Sequence, residues 1–138
     1  MKPEEIFNKI ISREIPADII YENEHTLVFL DANPCSPGHT LVIPKKWSKN
    51  MLDIDEQDLI EVMKTIKYIT PYILRAVGAK GYNLDQNNEA IAGQVVMHTH
   101  FHIIPRFDGD GLERWHPRME LKPKIKELAE KIKFELNN

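Results

Sequence analysis

The chain is poor in the features that mark an unusual environment. Among its 138 residues there is one cysteine, Cys35, so it forms neither an internal disulfide nor a cysteine-rich zinc site. No window approaches the eighteen or so apolar residues that span a membrane, and the acidic N-terminus lacks the apolar run of a signal peptide. These absences predict a cytoplasmic protein that works in a reducing environment without a membrane partner.

An excess of charge of one sign is also missing. Eighteen basic and 21 acidic residues give a net charge of −3, which excludes a nucleic-acid partner held by a general excess of positive charge. The apolar fraction of 42% and charged fraction of 28% are those of an ordinary globular protein. At this length, residues 1–138 are expected to form a single domain with a real core.

Hydrophobic spacing predicts an α+β fold with an antiparallel sheet, because the strands are separated by helices without strict alternation. The predicted helices cover 4–12, 55–77 and 123–136, the last with Pro123 near its first turn. The predicted strands cover 19–21, 26–30, 39–44, 82–85 and 95–104.

Chemistry is concentrated in the last of these strands. Side chains alternate along a strand, so His98, His100 and His102 should project to one face. Thr99, Phe101 and Ile103 should project to the opposite face, which suits the core. Half of the six histidines fall in this segment, so a purely structural role for the triplet is disfavoured.

Two kinds of site are compatible with three imidazoles on one face. They could converge on a metal such as zinc, or act as nucleophile and acid–base groups at a phosphorus centre. A metal site would normally add a carboxylate or a cysteine, which the immediate neighbours do not supply. Backbone and amide donors nearby, at Asn87, Asn88, Gly93 and Gln94, favour phosphate chemistry.

The pattern resembles a known family. His98-x-His100-x-His102, with Ile103-Ile104 after it, is similar to the motif of histidine triad (HIT) proteins, and so are the flanking segments 92–94 and 105–106. Segments 6–16, 29–31 and 37–45 are similar to the Hint-like branch of that family. The resemblance covers about residues 4–115, and the C-terminal helix contributes less to it. It implies a HIT-like fold, with an antiparallel sheet of about five strands and a long helix packed against it.

The resemblance implies a nucleotide hydrolase or transferase without a cofactor. Such proteins cleave nucleoside phosphoramidates or dinucleoside polyphosphates such as Ap4A through a nucleotidyl-histidine intermediate and release a nucleoside monophosphate. His100 would be the nucleophile, and the carbonyl of His98 would accept its Nδ1 proton. His102 and His39 would lie near the phosphate oxygens and the leaving group.

The remaining implied roles concern the bound purine nucleotide. Asp31 would hold the ribose hydroxyls, and Asn87 and Gln94 would contact the phosphate or bridging atom, with Gly93 allowing close backbone approach. The apolar slot for the base would consist of Ile6, Phe7, Ile10 and Phe29. Relatives of this branch form homodimers, so a homodimer is expected.

The chain departs from the pattern at two places. Many bacterial members carry a zinc-binding Cys-x-x-Cys and a further histidine, where this chain has Glu5, Asn8 and Trp47, so no structural zinc is expected. Gln94 is similar to the branch that cleaves dinucleoside polyphosphates, which leaves the substrate preference open. A non-catalytic nucleotide-binding module and a metalloenzyme built on the same histidines are the two alternative functions.

Overall fold

Five antiparallel strands form one sheet in the computed structural model, which describes Lys2 and residues 5–138. The strands are β1 (Ile19–Glu22), β2 (Thr26–Leu30), β3 (Thr40–Pro44), β4 (Gly81–Asp85) and β5 (Phe101–Arg106). Their order across the sheet is β1-β2-β3-β5-β4, and every neighbouring pair is antiparallel. The predicted α+β class and antiparallel sheet are confirmed.

The helices also follow the prediction, with shifted ends. They are α1 (Ile6–Ile11), α2 (Glu56–Val77) and α3 (Ile125–Leu136), with 3₁₀ turns at Ala90–Ala92 and Met119–Lys124. Pro123 lies in the second 3₁₀ turn, so the C-terminal α-helix begins two residues later than expected. Within the described residues, no helix is long and apolar enough to cross a bilayer.

The sheet separates two apolar layers. On one face, α2 packs through Val62, Ile66, Ile69 and Ile73 against strand residues that include Phe101 and Ile103. On the other face, α1 packs through Phe7 and Ile10 against Leu27, Phe29, Leu41 and Ile43. Because neighbouring strand residues alternate between the faces, His102 lies on the face that carries α1.

The strand predicted over 95–104 begins only at Phe101. The residues just before Phe101 do not continue the ladder of the sheet. Their hydrogen bonds go to the end of β3 and to the loop after it. Thr99 N donates to Ser48 O over 2.8 Å, and the two hydroxyl groups of these residues lie 2.7 Å apart. His98 Nε2 lies 2.9 Å from the carbonyl oxygen of Pro44. His98 is therefore buried beside the end of β3, and of the three histidines only His102 lies in a regular strand.

Gly38 allows the chain to enter β3 tightly beside α2 and β5. Its φ of +86° is in the left-handed region. A Cβ at this position would lie 3.0 Å from Val77 Cγ1 and 3.2 Å from Pro105 Cγ. Both the backbone conformation and the packing therefore require glycine here.

We expect Gly38→Ala to lower the free energy of unfolding by about 2–4 kcal/mol, because left-handed strain and overpacking add. Gly78 is a matched control, since it has a φ of +73° but nothing within 4 Å of an added Cβ. Gly78→Ala should cost only the strain, about 1 kcal/mol. Urea unfolding of the two variants tests this, and equal losses would show that the space around Gly38 does not matter.

Candidate active site

A cleft of about 560 Å³ opens between α1 and the sheet. Its apolar wall comes from α1 and from the edges of β2 and β3, and its polar end comes from the segments around β5. The wall includes Ile6, Phe7, Ile10, Phe29 and Leu41, and the polar end includes Asp31, Asn87, Gly93, His100 and His102. Most of the predicted site residues thus meet in one place. Leu41 was not predicted, although the alternation along β3 could have indicated it.

The ring of His100 is buried and oriented. Its Nδ1 lies 2.7 Å from the carbonyl oxygen of His98, and since a carbonyl only accepts, Nδ1 carries the proton. The ring also packs edge-on against Phe7, with the ring centroids 5.0 Å apart. Burial lowers the pKa of His100, so the ring is neutral at neutral pH. Its Nε2 is left with a free lone pair in the wall of the cleft.

Hydrogen bonds in series determine which ring nitrogens of His39 and His102 carry their protons. The donors are the N–H groups of Cys35, His39 Nε2 and His102 Nε2. The backbone N–H of Cys35 donates to His39 Nδ1 over 3.1 Å, so neutral His39 carries its proton on Nε2. His39 Nε2 lies 2.9 Å from His102 Nδ1 and donates to it. Neutral His102 therefore carries its own proton on Nε2, the one ring nitrogen that remains for a ligand in the cleft. Burial is the main cause that lowers the pKa of His102 to about 4.

Asp31 stands at the end of β2, beside this chain. Its backbone N–H donates to the carbonyl of His39 over 2.9 Å, and its Oδ1 accepts from the N–H of Asn33 over 2.8 Å. Its Oδ2 lies 3.5 Å from His39 Nε2. The carboxylate is thus positioned on the wall of the cleft with one oxygen largely available to a ligand.

Asp31, His39 and His102 also have donor atoms within 4.8 Å of one another, the spacing at which a metal ion is sometimes bound. The hydrogen bonds argue against that use. A metal on His39 Nε2 would require the ring proton to move to Nδ1, where it would meet the N–H of Cys35. This arrangement suits a proton donor chain better than an ion.

Three predicted site residues lie outside the cleft lining: His39, Gln94 and His98. His39 takes part through its hydrogen bond to His102. Gln94 is 3% exposed, and its Nε2 donates to Lys49 O over 2.7 Å and to Val96 O over 3.0 Å. Its Oε1 accepts from the N–H of Glu89 over 2.9 Å. With its amide bonded in this way, the geometry does not support the expected contact between Gln94 and the phosphate.

His98, which is also outside the lining, acts through its backbone. Its ring is fully buried, and its Nδ1 has no partner among the residues that the structure describes. Because Nε2 donates to Pro44, a proton on Nδ1 would be buried without an acceptor. Burial accordingly lowers the pKa of His98.

A family model described as the HIT domain matches residues 12–109. This chain belongs to the HIT family. The triad and the cleft around it are therefore those of a HIT protein.

Similar HIT proteins come from all domains of life. An uncharacterized HIT-like protein of Methanocaldococcus jannaschii is 50% identical over 106 residues, which are 77% of this chain and 81% of that protein. An adenosine 5′-monophosphoramidase of Schizosaccharomyces pombe is 39% identical over 129 residues, 92% of this chain and 94% of that one. A crystal structure from Streptococcus mutans has a TM-score of 0.88 and 36% identity, and the match covers 95% of this chain and 84% of the other. HIT relatives thus include hydrolases that act on nucleotides.

We expect the stability of this HIT protein to fall as the pH is lowered from 6.5 to 5. The pKa of His102 is about 4 when folded and 6.5 in the ordinary state, so the unfolded chain takes up protons in this range while the folded one does not. The contribution of neutral His102 to the free energy of unfolding is complete above pH 6.5. It is lost as the pH falls toward the pKa of His102 in the folded protein.

Urea unfolding at pH 7, 6 and 5 measures this slope. His102→Asn should reduce it by less than about 1.4 kcal/mol per pH unit, the limit for one group. His25 is exposed and outside the cleft, so His25→Ala should keep the wild-type slope. If His102→Asn and wild type had the same slope, the neutral state of His102 would be wrong.

Proposed function

We propose that this HIT protein hydrolyses purine nucleotides at the α-phosphorus through a covalent nucleotidyl-His100 intermediate. The observation that carries the proposal is the hydrogen bond between His100 Nδ1 and the carbonyl of His98, at 2.7 Å. It fixes the tautomer in which Nε2 is the nucleophile. A module that only binds nucleotides has no need of a neutral ring held in this state.

The first step forms a bond between His100 Nε2 and phosphorus and breaks the bond between phosphorus and the leaving group. The leaving group departs with the bonding electron pair and takes up a proton, for which His102 Nε2–H is the donor in reach of the cleft. His100 becomes an imidazolium, whose Nδ1 proton still faces the His98 carbonyl. Because this site is buried, solvent does not replace the His98 carbonyl as the acceptor of the Nδ1 proton. The positive charge of the imidazolium is therefore stabilised where it forms.

The second step returns the protein to its first state. Water attacks the phosphorus and gives one proton to His102 Nε2, which replaces the proton that the leaving group took. The bond to His100 Nε2 breaks with its electron pair returning to that nitrogen, and the nucleoside monophosphate leaves with the oxygen of the water. The hydrogen bond from His39 Nε2 to His102 Nδ1 keeps the restored proton of His102 on Nε2. No group beyond water and the side chains of this chain is needed for atoms and electrons to balance.

The remaining cleft residues are proposed to hold the nucleotide. The apolar wall formed by α1, Phe29 and Leu41 suits a planar base. Asp31 accepts from the two ribose hydroxyls, and Asn87 donates from its amide to the phosphate. Gly93 lies next to Asn87, and its φ of +95° is in the left-handed region that favours glycine.

Nucleoside 5′-phosphoramidates are the first substrate class that we propose, since a relative at 39% identity is named for that activity. Dinucleoside polyphosphates contain the same α-phosphorus. Gln94 gives no support for preferring them, because its amide is bonded within the protein.

A homodimer is part of the proposal. The apolar residues of α3 recur at helical spacing and are exposed. In the part of the chain that the structure describes, nothing packs against this apolar face of the helix. The residues of this face are Ile125, Leu128, Ile132 and Leu136. A second copy would supply the missing cover.

His100→Ala should reduce release of AMP from adenosine 5′-phosphoramidate by roughly 10³-fold or more, because the covalent step is lost. AMP binding, measured by calorimetry, should persist, since the apolar wall and Asp31 are unchanged. EDTA in every assay removes any contribution of adventitious metal. His25→Ala is the control and should match wild type. Retained turnover in His100→Ala would rule out the proposed nucleophile.

Asp31→Ala should weaken the binding of AMP by about tenfold or more, because a charged acceptor for two hydroxyls is lost. The same substitution should leave the binding of 2′,3′-dideoxy-AMP nearly unchanged, since that ligand has no hydroxyls to donate. Calorimetric titration of both ligands into both proteins gives the comparison. Equal losses for the two ligands would show that Asp31 supports the loop and does not contact the ribose.

A further inference from the structure

The loop between β4 and the histidine segment contains a residue in a conformation that side chains disfavour. Glu89 has a φ of +75° and a ψ of +153°, a combination that is essentially restricted to glycine. Other residues keep such a conformation only where their surroundings hold them in it, and these cases cluster at functional sites. Glu89 is two residues after Asn87, which lines the cleft. The strained residue therefore lies next to the phosphate end of the proposed site.

The main chain of Glu89 is held by bonds that any residue could make. Its N–H donates to Gln94 Oε1 over 2.9 Å, and its carbonyl accepts from the N–H groups of Ala92 and Gln94 over 3.0 Å and 3.1 Å. These bonds close residues 89–94 into a tight loop. They would be the same with glycine at position 89, which would take this conformation without strain.

The side chain of Glu89 is bound by the segment that follows β3. Its Oε1 accepts from Lys49 Nζ over 2.6 Å, and its Oε2 accepts from Asn50 Nδ2 over 3.4 Å. The side chains of Lys49 and Glu89 are 44% and 51% exposed, so this ion pair contributes little to the stability of the whole fold. Its effect is local, because it holds the strained residue against the neighbouring segment.

Residues 48–51 of that segment hold both sides of the catalytic end of the cleft, although none of them lines it. On the side of the nucleophile, Ser48 O accepts from the N–H of Thr99 over 2.8 Å. On the side of the phosphate loop, the N–H of Met51 donates to Asn88 Oδ1 over 2.8 Å. One segment of four residues thus sets the distance between the nucleophile and the loop that contains Glu89.

The amide of Asn87 depends on this main chain for its position. The residue accepts from Gln86 Nε2 through its carbonyl, at 3.3 Å, but its side chain makes no hydrogen bond to the part of the chain that the structure describes. The amide is therefore available to a ligand, and its direction follows from the conformation of the residues around it. Because Glu89 is only two residues away, a change in its φ would shift Asn87.

We infer that Lys49 and Glu89 are positioning residues, which hold the amide of Asn87 toward the reacting phosphorus without touching the nucleotide. The inference rests on the proposed function, because that function assigns the phosphate to Asn87. The ion pair keeps Glu89 in its glycine-like conformation. Without the ion pair, Glu89 relaxes to an ordinary extended conformation with negative φ, and Asn87 moves away from the phosphorus. The apolar wall and Asp31 are unaffected, so the nucleoside is still bound.

Lys49→Ala tests the pair through the release of AMP from adenosine 5′-phosphoramidate. It should lower kcat about tenfold, because a displaced donor stabilises the transition state less. KM should stay within about twofold of wild type, since the base and the ribose keep their contacts. Lys49→Arg retains a cation for Glu89 and should restore most of the activity. Wild-type kcat in Lys49→Ala would overturn the inference.

Lys46→Ala is the matched control. Lys46 lies three residues earlier in the same segment, and its ion pair is with Asp55 instead of with the loop of Glu89. This variant should have the kcat and KM of wild type. Equal losses in Lys46→Ala and Lys49→Ala would show that the charge of the segment matters and the link to Glu89 does not, which would also overturn the inference.

Glycine at position 89 gives the sharpest comparison. Glu89→Gly removes the strain together with the carboxylate, so the loop should keep its conformation without Lys49. Lys49→Ala should therefore lower kcat about tenfold in the chain with Glu89 and less than about twofold in the Glu89→Gly chain. A tenfold loss in both chains, or a higher KM with unchanged kcat, would mean that Lys49 acts on the substrate directly. Either result would refute the positioning role.

Crystal structures separate failure of the positioning role from failure of the proposed function. If wild type released no AMP, the proposed hydrolysis would be wrong, and the conformation of the loop would still decide the role of the pair. In Lys49→Ala, residue 89 should have a negative φ, and the Asn87 amide should be displaced from its wild-type position by about 1 Å or more. The Lys49→Ala, Glu89→Gly double variant should keep the wild-type position. A positive φ of Glu89 in Lys49→Ala would show that the ion pair does not hold it.

Discussion

The hydrogen bond between His100 Nδ1 and the carbonyl of His98 is the interaction on which the rest of the site depends. It determines which nitrogen of His100 carries the proton, and thereby which nitrogen faces the cleft with a lone pair. Burial then keeps the ring neutral by lowering its pKa. Neither effect alone gives a usable nucleophile: an oriented but charged ring has no lone pair, and a neutral but free ring has no fixed direction.

The irregular segment before β5 makes this bond possible. In a regular antiparallel strand, the carbonyl of His98 would point to a neighbouring strand and be used in the ladder. Here the chain is held by Pro44 at the end of β3 and by Ser48 of the loop after it, and the carbonyl is left for the imidazole two residues later. In the mechanism that we propose, the late start of β5 therefore serves the reaction.

Local pattern was enough to predict most of the architecture. The spacing of apolar residues in α2, with Gly78 as its left-handed end, is a local property that the folded chain keeps. The prediction of a strand over 95–104 was wrong for residues 95–100, because the hydrogen bonds of this segment go to Ser48 and Pro44, far away in sequence. Alternation along a strand does not encode such contacts. The same limit explains Gln94, whose polar amide looked available in the sequence and is bonded on every side in the fold.

The donor chain through His39 and His102 begins at a backbone amide, that of Cys35. None of the hydrogen bonds in this donor chain involves the Cys35 thiol. Most other residues could therefore replace Cys35 without disturbing the proton positions in the cleft. Proline is the exception, because it has no N–H, and its presence would release His39 to adopt either tautomer. Prolines stand at 34 and 37, on both sides of this position, in a turn that favours them. At position 35, the tolerance to mutation is thus set by one hydrogen atom of the main chain.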